Sequence, residues 1–137
     1  MPSNLISDTC RLFDSLIIQA FENLIGCGLP SSSLQQSQLS SKLGGIGLRS
    51  SLIHSSAGYI SSFFASKPLA ETFLKKPISN PHIKTSVSDY NSQVSTEDQL
   101  DTSSEPNSQK VLSFKIDADK AKQLSESSSI IDKARAL

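Results

Sequence analysis

The chain has 137 residues, of which 36% are hydrophobic and none is Trp, so its core is expected to be small. Thirteen basic side chains balance thirteen acidic ones, which removes net charge as a means of drawing the chain to nucleic acid or to an anionic membrane. Ser occupies 29 positions; its hydroxyl competes for backbone hydrogen bonds, which disfavours long uninterrupted elements and points to marginal stability.

From Phe13 the apolar residues Phe13, Leu16, Ile17, Ala20, Phe21 and Leu24 recur at helical spacing, predicting an amphipathic helix over about 8–25. Ser7 or Asp8 is placed to cap its start, and Gly26 to end it in the left-handed conformation. Ser31 to Ser33 predict the cap of a short helix reaching about Ser40, after which Gly44, Gly45 and Gly47 interrupt periodic structure and predict a tight turn. A second stripe, Ile53, Ala57, Ile60 and Phe64, broadened by Leu52, Tyr59 and Phe63, predicts a helix over about 50–65. Ser66 followed by Pro68 reads as a new cap with proline in the first turn, opening a separate short helix that ends before Pro77. Asn80-Pro81 repeats that signal and opens a helix to about Tyr90 or Val94.

Residues 95–107 are polar and acidic, with Leu100 their one large apolar side chain, and predict a flexible linker. Beyond it, Leu112, Phe114 and Ile116 alternate as a strand would, while Leu112, Ile116, Ala121 and Leu124 allow a helix; the Ala, Lys, Gln and Leu content of 117–125 favours the helix. A further short helix is expected over 130–137. The expected fold is therefore all-α: a small irregular bundle of short helices over 1–94, a flexible acidic linker over 95–107, and a C-terminal helical segment over 108–137 that ends mid-domain.

Few residues point to chemistry. Gly45-Ile46-Gly47-Leu48-Arg49-Ser50 has Ser50 where a dinucleotide-binding glycine pattern needs its third glycine, and no β-branched strand precedes it. His54 and His82 are 28 residues apart, with no ligand spacing that would close a metal site, and no Gly-x-Ser-x-Gly elbow is present. His54 is expected at a boundary or on the surface. Asp117 and Asp119 are expected on a solvated face, and Cys10 and Cys27 as space-filling free thiols. No catalytic residue, cofactor or metal is thus expected. Lys42 and Arg49 bracket the glycine turn, and with Lys75 and Lys76 they form a candidate contact set for nucleic-acid phosphates. With no apolar stretch near the length of about 20 residues that spans a membrane, and no signal-like N-terminus, the chain is expected to be soluble and intracellular, cytoplasmic or nuclear.

Gln38-Leu39-Ser40-Ser41-Lys42-Leu43-Gly44-Gly45-Ile46-Gly47-Leu48-Arg49-Ser50, followed by Ala57-Gly58-Tyr59-Ile60, resembles the region just after the polymerase core in reverse transcriptase-like proteins of non-LTR retroelements. That family's pattern runs roughly Gln-Ala-x-Leu-Pro-x-x-x-Gly-Gly-Leu-Gly-Leu-Arg-Ser and then an Ala-Tyr helix. Ser37 stands where it often has Ala, and Ser40 where it often has Pro. Tyr90-Asn91, the stretch 108–113 and the stretch 132–137 are similar to its continuation. Catalysis in that family depends on palm aspartates in an aromatic-x-Asp-Asp segment, and this sequence has no Asp-Asp dipeptide. The resemblance therefore implies a non-catalytic fragment whose partners are nucleic acid or the rest of a reverse transcriptase, with Gly44, Gly45, Gly47, Leu48, Arg49 and Ser50 as its family motif. The alternative is a small helical module that binds RNA or protein through Lys42, Arg49, Lys75 and Lys76.

Overall fold

The structure, a computed structural model, describes residues 3–101 and 108–135, with side chains over 5–101 and 108–127. Five α-helices make up the fold, and no strand occurs among the described residues: α1 (Ser3–Ile25), α2 (Ser31–Gln38), α3 (Ser51–Leu74), α4 (His82–Asn91) and α5 (Gln109–Arg135). Single 3-10 turns stand at Ser41–Leu43 and Thr96–Asp98. None of the helices is long and apolar enough to cross a membrane, among the described residues.

The stripe on α3 does what its spacing predicts. Ala57 and Ile60 are fully buried, and they meet Ile83, Val87 and Tyr90 of α4, Val94, and Leu112 and Ile116 of α5 in one core. Ile53, Tyr59, Phe63, Phe64 and Leu100 pack around its edge, with Phe63 and Phe64 edge-to-face at 5.4 Å. Because Leu112 and Ile116 belong to this core, the C-terminal segment is part of the bundle rather than an appendage, and 111–116 is helix, not strand.

Several boundaries differ from the sequence expectation. The expected break at Ser66 does not occur, and α3 runs through Pro68 to Leu74. Pro68 leaves the Phe64 carbonyl without its usual donor, but the local cap signal is absorbed inside the helix: Ser66 Oγ donates back to the Ser62 carbonyl at 2.9 Å, and Thr72 Oγ1 to the Pro68 carbonyl at 2.9 Å. Likewise α5 is continuous to Arg135, so no separate helix begins at 130. Helix α1 starts at Ser3 rather than at a Ser7 or Asp8 cap; Asp8 instead pairs with Arg11 at 3.0 Å within the helix. At the head of α2 the flanking residue is Pro30, and no serine side chain caps it. The Gly26 and Asn80 expectations agree with the structure: Gly26 has φ +75°, and Asn80 Oδ1 accepts from the His82 N–H at 3.0 Å.

The acidic linker is held at its start. Asn91 grips the Leu100 backbone from both sides, accepting its N–H at 2.8 Å and donating to its carbonyl at 2.9 Å. The Asp119 carboxylate accepts the Ser95 N–H, and Lys115 pairs with Asp98 at 2.8 Å. Residues 95–101 are therefore anchored to α4 and α5 rather than free. The rest of the expected linker, 102–107, lies outside the described residues.

The apolar stripe on α1 is exposed except at Phe21. Its inward residues are Cys10, Asp14, Ile18 and Phe21, whereas Phe13, Leu16, Ile17 and Leu24 are exposed. The hydrogen bonds that tie α1 to the start of α3 are taken by the Asp14 carboxylate and the Cys10 carbonyl.

Candidate functional site

The segment from Lys42 to Ser50 is where four helices meet. Gly44 and Gly47 have φ +81° and +80°, in the left-handed region where a side chain is disfavoured. Gly45 is required for a different reason: a Cβ there would lie 2.1 Å from the Leu39 carbonyl oxygen and 2.7 Å from that of Gln36. These choices let the segment fold back on α2. The Ile46 and Leu48 N–H groups both donate to the Ser37 carbonyl, at 3.3 and 3.1 Å, and the Gly47 N–H to the Leu39 carbonyl at 2.9 Å. The N–H groups that would have to converge on a phosphate are thus committed to the protein's own carbonyls, in agreement with the missing third glycine. Leu48 is half-buried beneath the same turn.

Ser50 caps α3, its hydroxyl accepting from the Ile53 N–H at 3.2 Å. That hydroxyl donates in turn to Asp14 of α1, which also takes the Ser51 N–H at 2.7 Å, the Ser51 hydroxyl at 2.6 Å and the Leu52 N–H at 3.3 Å. Asp14 therefore serves as a second cap supplied by another helix, at the positive end of the α3 dipole. Burial alone would raise its carboxyl, but the hydrogen bonds from Ser50, Ser51 and Leu52 outweigh that and hold it below its ordinary 3.8. A carboxyl that is more acidic folded than unfolded stabilises the fold above its unfolded value, and that contribution disappears as pH falls through the folded one. Asp14→Ala should therefore cost about 1–2 kcal/mol near neutral pH and flatten the loss of stability below pH 3.8, as read from urea titrations at a series of pH values.

Arg49 turns inward. Its Nη2 lies 2.7 Å from Oδ2 of Asp117, a residue of α5 that is 1% exposed, while Oδ1 of the same carboxylate faces His54 Nε2 at 3.2 Å. Desolvation lowers the imidazole below its ordinary 6.5, and Arg49 and Lys120 lower it further, against the opposing pull of Asp117. His54 is therefore neutral at physiological pH, with its Nε2–H donating to Asp117 and Nδ1 buried without a partner. One expectation is corrected here, since Asp117 is not on a solvated face; His54, with its side chain 12% exposed, takes the boundary position of its two expected ones.

A carboxylate orienting a histidine is half of a nucleophilic arrangement, and the other half would be a hydroxyl on the second nitrogen. The neighbouring serines are directed elsewhere: Ser51 donates to Asp14, Ser55 to the Leu52 carbonyl and Ser66 to the Ser62 carbonyl. His82 and the two cysteines do not join the site; Cys10 is buried on the inner side of α1, and Cys27 is exposed rather than space-filling. Among the described residues, no three His, Cys, Asp or Glu side chains come together as a metal site. Tyr90 is fully buried, and desolvation, helped by Asp98 and Asp119, raises its hydroxyl to about 12.

The four candidate phosphate contacts do not form one patch. Lys42 and Arg49 sit before α3, whereas Lys75 and Lys76 follow it, and 24 helical residues separate the two pairs by about 36 Å. What Lys42 and Arg49 do meet is Lys110 and Lys115 of α5, around Val111 and Phe114, in an open groove of about 800 Å³ that Ser40 and Ser41 complete. Two of these four cations are already paired, Arg49 with Asp117 and Lys115 with Asp98. No ion pair engages Lys42 or Lys110 among the described residues. Lys110 and Phe114 escape sequence reasoning because nothing local ties 110–115 to the glycine turn.

Fold and site together define a small all-α bundle whose central turn is locked by buried polar contacts. Compared with protein-family models, curated proteins and solved structures, the chain matches none.

Proposed function

We propose that the chain is a non-catalytic helical module, a piece of the region that follows the polymerase core in reverse transcriptase-like proteins of non-LTR retroelements. The observation that carries this reading is how the motif resembling that family is used. Its glycines fold the chain back on α2, its Arg49 pairs with Asp117 and its Ser50 caps α3. A motif whose residues are spent on joining helices conveys architecture, and the palm aspartates that would supply chemistry have no counterpart in the sequence. Incubated with Mg²⁺, nucleotides and a primed RNA template, the purified chain should extend nothing. Reproducible synthesis that an Asp substitution abolishes would overturn the reading.

The groove favours one addition, an RNA-binding role. Lys42 and Lys110 flank Phe114, which is 43% exposed, and cations beside an exposed ring suit the backbone and a stacked base of single-stranded RNA. Lys42→Glu with Lys110→Glu should weaken binding to a labelled RNA oligonucleotide and reduce its log-log salt slope by about 1.4, at roughly 0.7 per phosphate contact. Reversing Lys75 and Lys76 should leave binding unchanged, since they lie at the far end of α3. Absence of binding by the unaltered chain at low salt would remove this role.

A further inference from the structure

Helix α1 presents an unusual outer surface. Leu5, Leu12, Phe13, Leu16, Ile17 and Leu24 are between 37% and 82% exposed, while the helix is held to the bundle by its opposite side through Cys10 and Asp14. At 100° per residue these six side chains, with Thr9 and Ala20, fall on one strip, and Asp8, Arg11 and Glu22 all lie off it. Over Leu5 to Leu24 the strip is about 28 Å long.

The order of its residues says what fits it. Leu5 and Leu24, Leu12 and Ile17, and Phe13 and Leu16 are each placed symmetrically about the midpoint between Asp14 and Ser15, and so are Thr9 and Ala20. These pairs use all six large exposed residues of the strip; Ile25, 41% exposed, lies off it. An antiparallel copy whose twofold axis passes through that midpoint therefore sets each of these apolar residues opposite another apolar residue, with i meeting j and j meeting i. With a fully exposed Leu, Ile or Phe taken as on the order of 180 Å², the six offer about 600 Å² per chain, or about 1,200 Å² for a pair. That exceeds the roughly 1,000 Å² expected of a specific interface. No charged side chain interrupts the strip, so closing it strands no charge.

We infer that α1 is a self-association surface on which a second copy of this chain docks, its α1 antiparallel to the first. The occupant is another copy because an antiparallel copy sets these apolar side chains against one another and the pair offers the area a specific dimer needs. The interface leaves the Asp14 contact and the groove at Phe114 untouched, so it is independent of any role in RNA binding.

Sedimentation of the whole chain across the micromolar range should show a concentration-dependent dimer. Leu12→Lys with Leu16→Lys should make it monomeric while leaving the helical circular dichroism and the melting transition in place, because both residues already face solvent. Leu69→Lys, on an exposed apolar residue of α3, should leave the dimer intact. A cysteine experiment needs no destabilising charge. In a Cys27→Ser background, Thr9→Cys together with Ala20→Cys should give a covalent dimer on mild oxidation, whereas either cysteine alone should not. A monomer at every concentration, a dimer indifferent to the two lysines, or efficient cross-linking by Thr9→Cys alone would each overturn the inference, the last by indicating a parallel arrangement.

Discussion

Asp117→Ala is expected to be the most damaging single substitution in the molecule, costing on the order of 3–5 kcal/mol. Its carboxylate is 1% exposed and takes Arg49 on one oxygen and His54 on the other, so its removal strands a cation and a buried imidazole together. The Arg49 side chain is 40% exposed, and water can recover part of its charge, which places the cost at the lower end. A typical domain has only about 5–15 kcal/mol in total, and this core is small, so the variant should show a large fall in its urea midpoint. Replacing all three partners with apolar residues, Arg49→Met, His54→Leu and Asp117→Leu, should cost less than Asp117→Ala alone, since nothing polar is then left unpaired. A loss below about 1 kcal/mol for Asp117→Ala would show that the carboxylate does not hold the turn to α5. Acid should weaken the same site. Because the folded imidazole lies below 6.5, the unfolded chain binds the proton more readily, and His54 subtracts stability as pH falls below that value.

Gly45→Ala is expected to cost about 3 kcal/mol, more than the same change at Gly44 or Gly47. Left-handed φ at Gly44 and Gly47 penalises a side chain by about 1–2 kcal/mol, but the added methyl has nothing within 4 Å at Gly47 and only the end of the Gln36 side chain, at 3.9 Å, at Gly44. At Gly45 the backbone φ is ordinary and the obstacle is the Leu39 carbonyl at 2.1 Å, which is main chain and cannot rotate aside. The turn would have to lift off α2, stretching the bonds from Ile46 and Leu48 to Ser37. Thermal unfolding of the three alanine variants gives the ranking directly. A Gly45→Ala protein as stable as Gly47→Ala would contradict the close approach.

The helical fold was legible because α3 carries its stripe in the form the core needs: Ile53, Ala57, Ile60 and Phe64 repeat at helical spacing, and the inner two are the most buried. Periodicity also located α1, but not which of its faces is covered. A stripe reports that an apolar surface exists, while what covers it is decided by partners far along the chain. The joining of two expected helices at Pro68 was hidden for a local reason: Ser before proline is compatible with a new cap or with a hydroxyl bonded back into the same helix. Of the site, the glycine turn was visible, but not which glycine needed conformational freedom and which needed space. Asp117 does leave a trace in the sequence. It follows Ile116 and lies five residues after Leu112, on the buried side of α5, where a carboxylate requires a cationic partner. That partner, Arg49, is 68 positions earlier, too far for any local spacing to connect the two.

Arg49 and Ser50 are consecutive, yet one reaches forward to Asp117 and the other back to Asp14. Two long loops, one on each side, are therefore closed at a single point in the chain. Loop closure costs entropy that rises only slowly with length, so the larger burden lies in ordering the short stretch where the ends must meet. With three glycines that stretch is the most freely varying part of the unfolded chain, and its hydrogen bonds to Ser37 and Leu39 are what set it in place for both closures at once.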